Sequence, residues 1–532
     1  MVATGHPIAT DAAGDVFRDG GNAIDAAVAA ALTLGVVDGN NSGIGGGCLI
    51  LIRTADGRFT AIDGRETAPA AAHKNMFLRE GQPLPDASQT GPLASGVPGA
   101  LAAYQMAIER SGTMKLARLL EPGIKAAEEG FVISHGLAGA IRGEAEQLRK
   151  FEGSRAILLH ADGSPLEEGE RLVQRDLANT YRQVAKLGID WFYRGPFAQI
   201  VGDWMSANGG LMTAADFNAY EAKLRKPLRS TYRGYEIIGF PPPSSGGVHV
   251  AQILNILENF DLPAIVDQDH AQAAHIVIEA FKLAFADRAH WLGDADFVDV
   301  PRGLASKEYA KLLAAKIDPQ RALDVPAHGS PPDWRQDLFS RHTTHIATAD
   351  AAGNWVAITA TVNTAFGSKV IVPGTGVVLN NEMDDFSIYP GVPNAFGLVG
   401  AENNSVAPGK RPLSSMSPTI VLAADGKPVL TVGAAGGPKI ITQVVLTILQ
   451  QIHLEQSLAE AVERPRIHHQ WRPNVVTFEK GLDESVVDGL RARGHELEEV
   501  NGAGRTQAIA ATSDGKLIGT SDPRGYGKAA GE

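Results

Sequence analysis

The sequence predicts an α/β (α+β) fold in which sheets are layered as a sandwich and flanked by helices. Three observations predict it. Helical patterns occur in both halves of the chain, and so do short strand patterns bounded by Gly, Asn and Asp turns. The stretch RHTTHIATADAAGNWVAITATVN, residues 341–363, reads as one β-hairpin. The composition, 44% hydrophobic and 20% charged over 532 residues, is that of a globular protein with several domains or one large unit.

The elements follow in order. Residues 13–37 read as two helices broken at Gly20-Gly21-Asn22, and the second is rich in Ala, which permits close packing. A Gly-rich turn, SGIGGG, then leads into a strand, a turn at Ala55-Asp56-Gly57 and a second strand ending at Asp63-Gly64-Arg65. SGIGGG lacks a following Lys-Ser/Thr and precedes a strand, so it reads as close backbone packing and not as a phosphate loop. Residues 95–150 and 173–187 carry helical patterns. YRGYEIIGFPPPSSGG gives a strand and a rigid Pro turn, and 248–260 and 271–292 read as long helices. Residues 316–342 are polar and Pro-rich and read as an exposed loop. Strand patterns return at 343–363, in KVIVPGTGVVLNN, in SPTIVLAADGKPVLTVG, and near 474–479 and 506–520, with helices at 439–453 and 456–463.

The net charge of −12 provides no basic footprint, so nucleic acid is not an expected partner. The single cysteine, Cys48, can form neither an internal disulfide nor a zinc cage and reads as a small core residue. His468 and His469 are adjacent in a strand pattern and point to opposite faces, which argues for structural roles over a shared metal. The apolar run 26–37 is too short to span a bilayer. No signal-peptide pattern opens the sequence, so as written it reads as cytoplasmic; a removed leader would place it in the periplasm or outside the cell.

In the hairpin, a five-residue loop at Asp350–Asn354 pairs Ala349 with Trp355 and, counting outward, Thr343 with Thr361. Alternation places Thr359, Thr361 and Asn363 on one face. Most strand threonines do no chemistry. Thr343, however, stands where a polar linker meets a buried-looking strand. Cleavage there would join a hydroxyl nucleophile to a free α-amine of pKa about 7.7–8.0, a recognised nucleophile–base pair.

Ordered motifs run along nearly the whole chain: GGNAIDAAVAAALTLGVVD, SGIGGG, AIDGRETAP, LASGVPG, FYRGP, GGLMTAADFNAY, PPPSSGGVHVAQILNILENFD and ADRAHWLGD. They continue with TTHIATADAAGN, NNEMDDFS, PGVPNAFGLVG, KRPLSSMSPTIV, GAAGGPKIIT, ERPRIHHQW and SDPR. With these motifs the chain resembles the γ-glutamyltranspeptidases (γ-glutamyltransferases), a branch of the N-terminal nucleophile hydrolases. The resemblance implies a four-layer αββα sandwich made as one precursor that cuts itself at His342–Thr343. It implies a large subunit, 1–342, and a small subunit, 343–532, that stay associated as one unit.

The resemblance also assigns roles. Thr343 is the nucleophile, positioned by Thr361, and Gly436 and Gly437 are the oxyanion-hole pair. Arg65 binds the substrate α-carboxylate with Ser414 and Ser415; read without the family, Arg65 would be a surface ion pair with Glu66. Glu382 and Asp385 accept the α-ammonium, with Asn363 assisting. Residues 390–400 form a lid, in which Phe396 stands where several bacterial members carry tyrosine; a looser lid and a shifted balance between water and amine acceptors is the expected consequence. The implied reaction transfers the γ-glutamyl group of glutathione or related donors to water, amino acids or peptides, with no metal or organic cofactor. Alternative readings are a cephalosporin (glutaryl) acylase of the same fold and an uncleaved, non-catalytic γ-glutamyl-binding relic.

Overall fold

The computed structural model describes residues 1–332, 344–389 and 391–531. Thr343 and the expected cut at His342–Thr343 lie outside the described residues, as does the end of the polar loop.

Strands β1 (Val2–Thr4), β2 (Gly47–Arg53), β3 (Phe59–Gly64), β4 (Lys223–Arg225), β5 (Leu228–Tyr232) and β6 (Tyr235–Gly239) come from the first part of the chain. The hairpin supplies β7 (Thr344–Ala349) and β8 (Trp355–Thr361). Then follow β9 (Thr419–Leu422), β10 (Pro428–Ala435), β11 (Arg505–Ala511), β12 (Leu517–Ser521) and β13 (Lys528–Ala530). Among the described residues these form a seven-stranded sheet, β13-β1-β7-β8-β2-β3-β4, and a six-stranded sheet, β12-β11-β10-β9-β6-β5.

The period-2 alternation of the strands sorts their side chains into two cores. On β2, Leu49 and Leu51 face the second sheet, against Ile238, Met416, Ile420 and Ile509. Cys48, Ile50 and Ile52 face the other way, into a helical layer. That layer contains α1 (Pro7–Arg18), α2 (Ala23–Val37), α3 (Ala100–Ser111), α4 (Leu116–Glu129) and α5 (Arg175–Leu187). The outer face of the second sheet is covered by α6 (Gly246–Leu257), α7 (His270–Trp291), α8 (Lys439–Ile448) and α9 (Glu484–Ala492). The result is the four-layer αββα sandwich.

Local chemistry explains the boundaries. Asn22 caps α2 in a reciprocal box with Asp25, which separates α2 from α1 at Gly20-Gly21 as the sequence reads. Pro7 sits at the start of α1, so that helix begins six residues earlier than its pattern suggests. Helix 439–453 is regular to Ile448, and a wider π-type turn covers Leu449–His453. KVIVPGTGVVLNN, expected to be a strand, is not one: only an isolated bridge joins Ile371 to Val378. Left-handed Gly374 and Gly376 break it, and Val370, Val372, Val377 and Leu379 bury themselves in the helical core instead. The SGIGGG reading holds. A Cβ on Gly46 would lie 1.8 Å from the Thr361 carbonyl oxygen, so only glycine permits that approach.

The hairpin has the expected register, from Ala349↔Trp355 to Thr344↔Ala360 without a bulge. Two residues of its polar row are shut off from solvent and Asn363 is half-buried. Thr359 and Thr361 are buried in the sandwich. The Thr359 hydroxyl lies 3.1 Å from His345 Nδ1, and the Thr361 hydroxyl accepts the Asn363 N–H at 2.7 Å.

Candidate active site

Four segments converge at one end of β8. Arg65, just past β3, is fully buried. Its backbone is fixed from behind: Asp63 Oδ1 accepts the Arg65 N–H at 2.9 Å and also an Arg411 N–H at 2.6 Å. Tyr220 donates its hydroxyl to the Arg65 carbonyl at 2.7 Å. The guanidinium then meets three carboxyl groups, Glu382 at 2.5 Å, Asp385 at 2.7 Å and Glu66 at 3.2 Å. The ion pair with Glu66 therefore exists, but it is a buried cluster and not a surface contact.

Three buried carboxyls around one guanidinium cannot all ionise cheaply. Burial, opposed by Arg65, pushes Glu66 up to about 7 and holds Glu382 well above the ordinary range. Burial works against the Arg65 charge, yet Glu382, Glu66 and Asp385 outweigh it and raise its affinity for the proton further. Glu382 and Asp385 sit on a single 3-10 turn, Glu382–Asp385. Asn380 ties that turn in place by accepting the Glu382 N–H at 3.0 Å and donating to the carbonyls of Gly45 and Gly96, both at 2.8 Å.

Asn363 follows β8 in a left-handed conformation, φ 80°. Its Nδ2 donates to the Asn381 carbonyl at 2.9 Å, while its Oδ1 is buried with no hydrogen-bond partner among the described residues. Ser414 and Ser415 are buried in the loop after Pro412, whose carbonyl accepts Arg65 Nε at 3.4 Å. The PPPSSGG turn braces this loop through Ser245 N–H to the Ser414 carbonyl, 3.1 Å, and Ser244 Oγ to the Met416 carbonyl, 2.8 Å.

Gly436 and Gly437 lie between β10 and α8 with φ 135° and 58°, backbone states that a side chain disfavours. Neither amide N–H has a hydrogen-bond partner among the described residues. A Cβ on Gly437 would lie 2.7 Å from the Phe396 ring, so that ring rests on this turn. The Phe396 loop is tied to the acidic turn: Asn394 Nδ2 donates to Asp385 at 3.1 Å and the Ala395 N–H to Asp384 at 2.8 Å. A cleft of about 720 Å3 opens beside Gly436, lined also by Asp38 and Arg505.

The structure thus brings together Arg65, Glu382, Asp385, Ser414 and Ser415, with Asn363 and Thr361 on the hairpin. His342 and Thr343 lie outside the described residues, and Thr344 is the first residue of β7. Sequence reasoning missed Glu66 as a member of the buried cluster, and missed Asp38 and Arg288. All three lie in quoted motifs, AIDGRETAP, GGNAIDAAVAAALTLGVVD and ADRAHWLGD, but their partners come from distant segments, so the motifs do not reveal what these side chains touch. His468 and His469 take separate partners, Thr442 with Gln470 and Asn474 with Trp471. Elsewhere His275, Glu279 and His495 cluster, but Lys282 Nζ is 2.8 Å from Glu279 and already balances that carboxylate.

The two face-to-face sheets and their flanking helices give the fold of the N-terminal nucleophile hydrolases. Residues 9–532 match the family model for gamma-glutamyltranspeptidase. The glutathione hydrolase proenzyme of Escherichia coli (strain K12) is 44% identical over 527 residues, covering 98% of this chain and 90% of that protein. The crystal structure of cephalosporin acylase from Bacillus halodurans superposes with a TM-score of 0.89 at 28% identity, over 99% of this chain and 95% of that one. The crystal structure of Helicobacter pylori gamma-glutamyltranspeptidase matches at 42% identity and a TM-score of 0.58, over 60% of this chain and 91% of that one. The chain belongs to the gamma-glutamyltranspeptidase family and is an enzyme. Among the described residues no helix is long and apolar enough to cross a membrane.

Proposed function

We propose that this enzyme cuts itself before Thr343 and transfers the γ-glutamyl group of glutathione or related donors to water, amino acids or peptides. The observation that carries the reading is the buried Arg65 cluster beside Ser414 and Ser415. A γ-glutamyl donor presents an α-carboxylate and an α-ammonium together. The carboxylate turns to Arg65 and the two serines, and the ammonium to Glu382, Asp385 and the unpartnered Asn363 Oδ1. A zwitterion brings both signs at once, so no buried charge is left alone as the internal ion pairs are exchanged.

The scissile γ-amide then reaches the end of the hairpin. The Thr343 α-amine takes the hydroxyl proton, Oγ attacks the carbonyl carbon, and the Gly436 and Gly437 amides hold the oxyanion. The Thr361 hydroxyl already accepts from Asn363 and has its own proton to give to Thr343. Collapse returns the proton to the leaving amine and leaves a threonyl ester. Water or an acceptor amine resolves the ester by the same steps reversed. Self-cleavage uses the same hydroxyl on the preceding carbonyl, dividing the chain into 1–342 and 343–532.

A glutaryl group carries a carboxylate without the ammonium and would add negative charge to three carboxyls, which disfavours the acylase reading. The test compares kcat/KM for γ-glutamyl and glutaryl anilides. A preference of at least about 100-fold for γ-glutamyl is expected, on the scale of an ionic group lost from a polar site. Equal or better glutaryl turnover would support the acylase instead, and no turnover of either would support a binding relic. A second expectation concerns the lid. Phe396→Tyr adds a hydroxyl to the ring resting on Gly437 and should raise the ratio of dipeptide transfer to hydrolysis, measured with glutathione and a dipeptide acceptor; an unchanged ratio rejects a role for this position in acceptor choice.

A further inference from the structure

Arg288, on α7, is 3% exposed and is paired with no carboxylate among the described residues. A buried guanidinium ordinarily has an anionic partner, because its desolvation is otherwise uncompensated. Arg288 instead makes two hydrogen bonds to neutral hydroxyls. Nε donates to Ser245 Oγ at 3.0 Å, and Nη2 donates to Ser415 Oγ at 3.3 Å. Burial lowers its pKa to about 10, and Asp385 is the one charge that opposes this. Arg288 and Asp385 border the same small space, about 10 Å3, with Asn394 and Asn404.

Both hydrogen bonds lead to the same loop. Ser245, which accepts from Arg288, passes its own hydroxyl proton to the Ser414 carbonyl. Ser415, by accepting from Arg288, keeps its proton directed away from the guanidinium. One buried cation therefore fixes the backbone of Ser414 and the hydroxyl direction of Ser415. It also places a second positive charge behind the pair, where Arg65 is already shared among three carboxyls.

We propose that Arg288 is a positioning residue for recognition of the donor's α-carboxylate, acting through Ser414 and Ser415 and supplying the positive potential that Arg65 alone does not. The inference rests on the γ-glutamyl reading given above. It predicts that loss of Arg288 is felt only by donors that carry the α-carboxylate.

The experiment measures kcat and KM for a γ-glutamyl anilide and for its α-carboxamide counterpart, in the wild type, Arg288→Gln and Arg288→Lys. For Arg288→Gln the acid should lose about 30- to 100-fold in kcat/KM, mostly through KM, as expected for a charge-assisted contact in a buried site. The carboxamide should lose less than about 3-fold, so that the wild-type preference for the acid collapses. Arg288→Lys, which keeps the charge without the two-armed geometry, should fall between. Equal losses on both donors would overturn the proposal and leave Arg288 a structural residue, as would no loss on either. If Arg288→Gln fails to fold, Arg288→Lys carries the same comparison, and an unchanged acid-to-amide ratio there overturns the proposal. Failure of the γ-glutamyl reading is distinct, because the wild type itself would then not turn over the acid.

Discussion

Thr343→Ala is expected to remain a single 56.1 kDa band on a denaturing gel and to lose at least about 10³-fold in glutathione turnover. One substitution removes two functions at once. Without the hydroxyl the preceding peptide bond has no internal nucleophile, so no new terminus forms. Without the new terminus there is no α-amine to act as base. Thr343→Ser keeps the hydroxyl and should give two bands with partial activity. A Thr343→Ala protein that matured and hydrolysed glutathione normally would remove the basis of the mechanism. The described hairpin keeps an unbroken antiparallel register from Ala349↔Trp355 to Thr344↔Ala360, so the substitution falls immediately before an ordered strand.

The second large effect is expected at Arg65. Arg65→Gln leaves Glu66, Glu382 and Asp385 buried without their cation and should cost about 3–5 kcal/mol of stability at neutral pH. The sign of the pH dependence follows from the proton count. Glu66 and Glu382 already bind protons more tightly in the fold than in the unfolded chain, and losing Arg65 strengthens that. The native state then holds more protons than the unfolded state above pH about 4.5, so its stability falls as pH rises through 7. The deficit against the wild type should be small near pH 5 and largest at pH 8, read from denaturant midpoints at several pH values. A deficit independent of pH would mean that the carboxyls near Arg65 do not carry the effect. Donor turnover should fall at every pH, because the carboxylate loses its bidentate partner.

Much of this architecture is legible in the chain itself. The continuous apolar run in GCLILIR marks a strand buried on both faces, and the loop at Asp350–Asn354 fixes the hairpin register without any knowledge of the fold. KVIVPGTGVVLNN misled because apolar, β-branched residues suit a buried loop as well as a strand, and residues about 200 positions away, Ser154 and Leu177 with its neighbours, decide between them. The site divides the same way. The residues that the family motifs point to are, where described, brought close together: Arg65 meets Glu382 and Asp385, and Ser414 and Ser415 are buried beside them. Glu66 looked like a surface partner because nothing local reveals that Gly47 and Gly96 leave just enough room to bury its carboxylate. Arg288 stands in the motif ADRAHWLGD, but its partners Ser245 and Ser415 come from two other segments, so the motif alone does not show what it holds.

The strand order has one more consequence. The first sheet runs β13-β1-β7-β8-β2, so the hairpin is zipped on one edge to the opening strand of the chain and on the other to Gly47–Arg53. The second sheet likewise ends in two strands from before residue 240. The cut proposed between 342 and 343 would leave two polypeptides woven through each other, each completing the other's ladders. They should travel together through any native separation and come apart only when both sheets are unravelled.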